Sequence, residues 1–168
     1  YGQTKLWAEA EVEKSGCRYV ICRTAFPYRA KFDLKEDLVR GILAKLKTNS
    51  LPPRFSDQII TPTFIDDLCE VFKLFIAKRP NGIYHCVGST ALSPFELAKK
   101  ISLIFEVKAV IKSISFQDFL KTAPRPRPRP RQQFLKISNA KLFHDFGYKM
   151  KTIDEALAVI KDQLFEGE

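Results

Sequence analysis

The sequence predicts an α/β fold: a few parallel strands followed by a helix-rich C-terminal part. Three observations point to it. Short apolar runs alternate with longer segments whose apolar residues recur at helical spacing, and turn residues punctuate nearly every change. The run Tyr19-Val20-Ile21-Cys22 is apolar on both faces, as a buried parallel strand requires. Beyond Ser93 helical patterns and capping signals dominate. Two or three parallel strands make at least one thin sheet layer packed by helices.

Taken in order, residues 3–14 are good helix formers, and Gly16 follows as a C-terminal stop. A strand is predicted over 18–24 and closed by Pro27. Between Lys35 and Lys47, Leu38, Val39, Ile42, Leu43 and Leu46 recur at helical spacing with lysines between them, which predicts a surface helix. Pro52 and Pro53 break the chain, and a short extended piece is expected through Ile59 and Ile60. Asp66 is expected to cap a helix through Leu68, Val71, Phe72 and Phe75. Pro80-Asn81-Gly82 turns into a strand over 83–87. Ser93, Pro94 and Glu96 form a capping box with proline at the first helical position, so a helix should run to Ile104. A further strand is expected over 107–111. The alternate prolines of 124–131 remove backbone donors and favour polyproline II, hence an extended loop. A short helix from Ser138 to near Gly147 and a capped one from Thr152 through Leu164, with Glu155 completing the box, end the chain.

Composition narrows the function classes. With 168 residues, 45% hydrophobic and 12% aromatic, one compact unit is expected. No stretch of about 18 apolar residues is present, nor a basic segment leading into an apolar core. The expectation is a cytoplasmic protein without a membrane partner. Cys17, Cys22, Cys69 and Cys86 lack Cys-x-x-Cys spacing and a histidine cluster, so they read as reduced core residues and no metal site is expected. The net charge of +9 is concentrated at Arg125, Arg127, Arg129 and Arg131. Such a local charge suits a pyrophosphate ligand as well as a nucleic-acid surface. The sequence opens on Tyr1 and has Met150 as its one methionine, and it is read as a piece of a longer protein.

Tyr1 and Lys5 stand four apart at the head of a helix, which places both on one face. A phenol with a pKa of about 10 is a poor acid near neutrality unless a neighbouring cation favours the phenolate. A tyrosine tuned in this way can protonate a carbonyl oxygen as hydride reaches its carbon. The pair alone also fits an ordinary surface helix.

Five segments add context. Tyr1-Gly-Gln-Thr-Lys-Leu resembles the active-site helix of extended short-chain dehydrogenases, where Tyr-Gly-x-(Ser/Thr)-Lys recurs. Arg23-Thr-Ala-Phe26, Pro62-Thr-Phe-Ile-Asp-Asp-Leu68, Gly82-Ile-Tyr-His85 with Gly88-Ser89, and the Arg-Pro stretch before Lys141-Leu142 are similar, in order, to motifs of the dTDP-4-dehydrorhamnose reductase family. The resemblance implies the C-terminal portion of an NAD(P)-binding Rossmann-type extended short-chain dehydrogenase that starts at the catalytic tyrosine. Residues 1–90 would mainly end the Rossmann-type domain and 91–168 would mainly bind substrate, the two being interleaved.

The implied activity is NADPH- or NADH-dependent reduction of a 4-keto nucleotide-diphosphate sugar. Tyr1 would be the proton donor, and Lys5 would hold the nicotinamide ribose and lower the pKa of Tyr1. Thr24, Ala25 and Pro27 would lie near the nicotinamide, Phe26 would line the sugar pocket, and Arg129 and Arg131 would meet the pyrophosphate. The partner is then a nucleotide-diphosphate sugar, with no nucleic acid and with a homodimer open to the longer parent. Plain structural roles compete: Phe26 as core, Asp66 and Asp67 as helix caps, His85 as a satisfied strand histidine, the arginines as a solvated loop. The family's usual tryptophan is Phe26 here, and the Arg-Pro loop is longer than usual. None of the seven glycines falls into a dinucleotide fingerprint, so the fragment alone is expected to be inactive. The rival readings are a sugar-nucleotide epimerase or dehydratase of the same superfamily, a regulatory subunit resembling the methionine adenosyltransferase β subunit, and a nucleic-acid binder.

Overall fold

The computed structural model describes residues 1–32, 34–122 and 132–165. Helix α1 (Gly2–Lys14) leads through Gly16, at φ +70°, into β1 (Val20–Arg23) and β2 (Pro27–Tyr28). Next come α2 (Leu38–Lys47), β3 (Arg54–Phe55), β4 (Thr63–Phe64) and α3 (Ile65–Lys78). The chain continues through β5 (Gly82–His85), α4 (Pro94–Ile104), β6 (Ser113–Ile114), α5 (Phe116–Thr122), α6 (Ala140–Phe146) and α7 (Ile153–Phe165).

The described strands form three parallel pairs, β1 with β5, β2 with β4 and β3 with β6. Parallel pairing needs a crossover, and α2 and α3 lie in the connections. The four-residue pair runs from Val20 opposite Gly82 to Arg23 opposite His85. It is pinned at its start, where the Gly82 amide donates to the Tyr19 carbonyl at 2.9 Å and the Tyr19 amide to Asn81 Oδ1 at 3.1 Å. Among the described residues no helix is long and apolar enough to cross a membrane.

Two hydrophobic clusters hold these layers. Tyr28, Ile42, Leu46, Phe64, Leu97, Ile101, Leu157 and Ile160 join α2, α4 and α7 to β2 and β4. Val71, Phe75, Tyr84, Cys86, Leu142 and Met150 pack α3 and α6 onto β5, with Val20 and Cys22 of β1 against them. Val20 and Cys22 therefore face α3, and Ile21 and Arg23 face the other way. On that side α1 buries none of its residues, so β1 is half-buried where its apolar run predicted full burial.

Other expectations need correction. Helix α2 begins at Leu38, three residues late, because the Asp37 carboxylate accepts from the Val39 and Arg40 amides and fixes the cap there. Asp66 caps nothing: Phe64, already extended, is the N-cap of α3, and both aspartates fall inside its first turn. The segment 107–111 is no strand. Its Val107, Ala109 and Ile111 pack against the first cluster, but the Val110 amide turns to the Asn49 side chain, and pairing starts only at Ser113. Cys22 and Cys86 lie in the second cluster as expected, whereas Cys17 and Cys69 are exposed. The expected loop at 124–131 lies outside the described residues.

Among the described residues, Asp67 is a buried charge with several partners. Its fully buried carboxylate accepts from the Lys151 amide at 2.6 Å, from Lys151 Nζ at 2.7 Å and from the Tyr148 hydroxyl at 3.1 Å. The phenol of Tyr148 is pushed up by burial and by this carboxylate. Removing one partner of a buried pair costs about 3–5 kcal/mol, and Lys151 is partly exposed, so the low end applies. Asp67→Ala should lower unfolding stability by ~3 kcal/mol in a urea titration. A second prediction concerns acid. Glu96 and Glu155 are held below the usual carboxylate range by accepting from the backbone amides of Ser93 and Thr152, their largest influences. Both bind protons less readily folded than unfolded. Their contribution is thus full above the ordinary value of 4.5 and is lost as pH falls through the lower folded values. Thermal melts should show Tm falling below about pH 4.5, with a smaller fall in Glu96→Gln.

Candidate functional site

Helix α1 carries Tyr1 as its N-cap residue and Lys5 one turn later. The Lys5 amide donates to the Tyr1 carbonyl at 3.1 Å, and Lys5 Nζ sits 5.7 Å from the centre of the Tyr1 ring. Tyr1 is 88% exposed, so its hydroxyl is open to a ligand. Two contacts set the direction of the helix. Tyr19 donates to Glu13 at 3.4 Å, and Arg23 donates through Nε and a terminal nitrogen to both oxygens of Glu9 at 2.9 and 2.5 Å. As the chain advances from Tyr19 to Arg23 at the end of β1, its partners on α1 recede from Glu13 to Glu9, so the two run antiparallel. Tyr1 and Lys5 therefore stand at the end where β1 terminates. The Arg23 guanidinium holds the Glu9 carboxyl below its ordinary range, which keeps this tie charged.

At that terminus the chain passes through Thr24, Ala25 and Phe26 before entering β2. The turn is organised by Thr63, a fully buried residue of β4. Its hydroxyl accepts from Thr24 Oγ1 at 2.9 Å and from the Ala25 amide at 3.3 Å, and it donates to the Ala25 carbonyl at 2.8 Å. Phe26 then takes φ +46°, a left-handed backbone that non-glycine residues seldom adopt. Nearby, past β5, Gly88 packs on Pro62, whose carbonyl oxygen would lie 2.4 Å from any Cβ placed there. The carboxyl ends of β1 and β5 thus meet one compact loop layer, the region where open α/β sheets bind ligands.

Phe26 forms one wall of a cavity of about 620 Å³. Leu38 from the head of α2, Phe55, Ile114 and Phe119 supply further apolar wall, while Arg54, Gln58 and Gln132 add polar groups. Phe55 and Phe119 meet edge to face at 5.1 Å. Gln58 is nearly buried and fixed, its Nε2 donating to the Gln132 carbonyl at 2.8 Å. An apolar chamber with a few oriented polar groups suits a flat ring carrying polar substituents.

Of the described residues expected at the site, Phe26 lines this cavity, and Thr24, Ala25 and Pro27 flank it in sequence. Tyr1 and Lys5 share its end of the sheet without lining it. Arg129 and Arg131 lie outside the described residues. His85 departs from its expected role: it is half-exposed, makes no side-chain hydrogen bond to a described residue, and adds a minor electrostatic pull on Glu9. Asp66 accepts from Gln163 Nε2 at 2.8 Å, and Asp67 has its clamp, so neither is placed for acid–base work. Sequence reasoning missed Arg54, Gln58 and the Thr63 hydroxyl. Thr63 lay within a quoted motif, but no periodicity signals a buried hydroxyl; Gln58 and Arg54 sit in a segment too short to show any pattern.

The RmlD substrate binding domain family matches residues 1–165. A probable low-salt glycan biosynthesis reductase, Agl14, of Haloferax volcanii is 26% identical over 165 residues, which cover 96% of this chain and 53% of that protein. A dTDP-4-dehydrorhamnose reductase from Clostridium acetobutylicum is structurally similar with a TM-score of 0.80 at 27% identity, over 98% of this chain and 55% of the other. The corresponding enzyme from Bacillus anthracis, solved in complex with NADP, gives a TM-score of 0.81 at 23% identity, over 97% and 54%. The chain spans about half the length of these relatives.

Proposed function

This chain belongs to the RmlD substrate binding domain family and has the α/β fold of Rossmann-type extended short-chain dehydrogenases, and on that footing we propose that it serves the NAD(P)H-dependent reduction of a 4-keto nucleotide-diphosphate sugar. One observation carries the reading. The Tyr1–Lys5 turn of α1 and the Phe26 cavity lie at the same end of the β1–β5 pair, so a proton donor and an aromatic-walled chamber can serve one ligand.

NADPH or NADH would supply the hydride; the similar enzyme from Bacillus anthracis is the one solved with NADP. Exposed Tyr1, Lys5 and Thr24 leave the nicotinamide side of such a group room to lie, with Ala25 and Pro27 next to it. The chain has no glycine fingerprint to cradle the dinucleotide phosphates, so this chain alone is not proposed to turn over substrate. Tyr1 gives its phenolic proton to the sugar C4 oxygen. Lys5, one turn away, would hold the nicotinamide ribose. Phe26 would stack against the sugar-nucleotide, and Arg129 and Arg131 are the candidates to meet its pyrophosphate, a group that guanidinium chemistry suits. The relatives' names leave the sugar and the base open.

Two measurements test the reading. A dTDP- or UDP-sugar should bind the chain, with affinity about fivefold or more weaker in Phe26→Ala, since aromatic contact contributes ~1 kcal/mol beyond burial. A short oligonucleotide should bind weakly; tight oligonucleotide binding that falls steeply with salt, without sugar-nucleotide affinity, would overturn it. In any assay that turns over a 4-keto sugar nucleotide, Tyr1→Phe should lower kcat on the order of 10²- to 10⁴-fold with cofactor affinity nearly intact. Turnover at the parent rate would remove Tyr1 from the mechanism.

A further inference from the structure

A threonine hydroxyl can donate one hydrogen bond and accept two. Thr63 uses all three, and all are directed at one turn of chain. Its acceptor sites take Thr24 Oγ1 and the Ala25 amide, and its proton goes to the Ala25 carbonyl at 2.8 Å, with the Cys86 carbonyl a more distant alternative at 3.4 Å. The Thr63 amide also reaches the Phe26 carbonyl at 3.4 Å. The residue is 0% exposed, so water cannot replace any of these bonds. Immediately beyond them Phe26 stands at φ +46°, a conformation that persists in a bulky residue only when its surroundings enforce it.

We infer that Thr63 is a positioning residue for the cavity: its hydroxyl locks Thr24 and Ala25 so that the chain must turn through the left-handed region at Phe26 and present that ring to the ligand. The role rests on the sugar-nucleotide reading of the cavity. Thr63 touches no ligand itself; it acts through the turn. A hydrophobic residue of the same shape would fill the same space in the layer between β2 and β4, yet it would leave the Ala25 amide and carbonyl without partners. The turn would then relax toward an ordinary negative φ, and the Phe26 ring would swing off the cavity wall.

The comparison is between Thr63→Val, which keeps the shape and loses the hydroxyl, and Thr63→Ser, which keeps the hydroxyl. Two readouts are taken: hydrogen exchange of the Ala25 amide, and Kd for dTDP-glucose. In Thr63→Val, exchange should accelerate by about tenfold or more and Kd should rise about tenfold, while Thr63→Ser returns both to within about threefold of the parent. An exchange rate or a Kd that stays at the parent value in Thr63→Val overturns the inference. If the unmodified chain does not bind dTDP-glucose, the proposed function fails at that point, and the exchange comparison alone decides whether Thr63 holds the turn. Should the valine variant not fold, Thr24→Val takes its place, since it removes a donor to the same hydroxyl from an exposed position; faster Ala25 exchange and a Kd rise of about threefold support the inference, and no change in either overturns it.

Discussion

The buried carboxylate of Asp67 is the constraint on which the packing depends. It sits in the first turn of α3, directly after β4, and binds the segment at Tyr148 and Lys151 that leads into α7. That one group therefore joins the chain that builds the sheet layer to the chain that closes it. Met150, between the two anchored residues, drops into the cluster under β5, and Ile153, just beyond, enters the cluster of α2, α4 and α7. A buried ion pair by itself is weak evidence of stability, because desolvation offsets much of the attraction. Here the worth lies in geometry: three donors converge on one carboxylate and allow a single placement of the C-terminal segment against both clusters.

That placement carries through to the site. The loop after β5 is held from the C-terminal side, where the Ser89 hydroxyl donates to the Met150 carbonyl and the Ser89 amide to the Lys151 carbonyl. From the other side it is held by Pro62, which accepts from the Gly88 amide. Pro62 precedes Thr63, and Thr63 fixes the turn of Phe26. A short run of contacts thus connects the clamp at Asp67 with the wall of the cavity about one layer away. Most of these links run through backbone groups, and Thr63 itself is fully buried, so the fold does much to shape the cavity wall.

Much of this architecture was legible because its signals are local. Ser93, Pro94 and Glu96 form the capping box of α4 in the structure, and Thr152 with Glu155 does the same for α7. The short helix expected to end near Gly147 does so, with Gly147 closing α6 in the left-handed conformation. What the sequence did not show was non-local. Asp67 looked like a cap because caps are recognised by neighbours in the chain, whereas its partners lie more than eighty residues away. The segment expected as a strand over 107–111 does bury Val107, Ala109 and Ile111 against the first cluster, but burial of one face does not supply a partner strand. The family resemblance reached Tyr1, Lys5 and Phe26 by motif. It said nothing of Gln58, which acquires its place only when Gln132 is brought opposite it.

The conformation of Phe26 shows how local cost and site geometry balance. A left-handed backbone costs a non-glycine residue roughly 1–2 kcal/mol, and glycine would remove that cost at once. Glycine would also remove the ring, and with it the contact that Phe26 makes with the first cluster from its half-buried position. Fully burying a phenylalanine side chain contributes about 1.5–3 kcal/mol, so partial burial recovers only part of that. The two terms nearly cancel, and stability alone gives little reason to prefer phenylalanine over glycine here. The hydrogen bonds of Thr63 break the tie, because they set the backbone path whichever residue follows. With the path already fixed, a large aromatic at position 26 is the choice that closes the chamber, and it carries the strain of the left-handed backbone there.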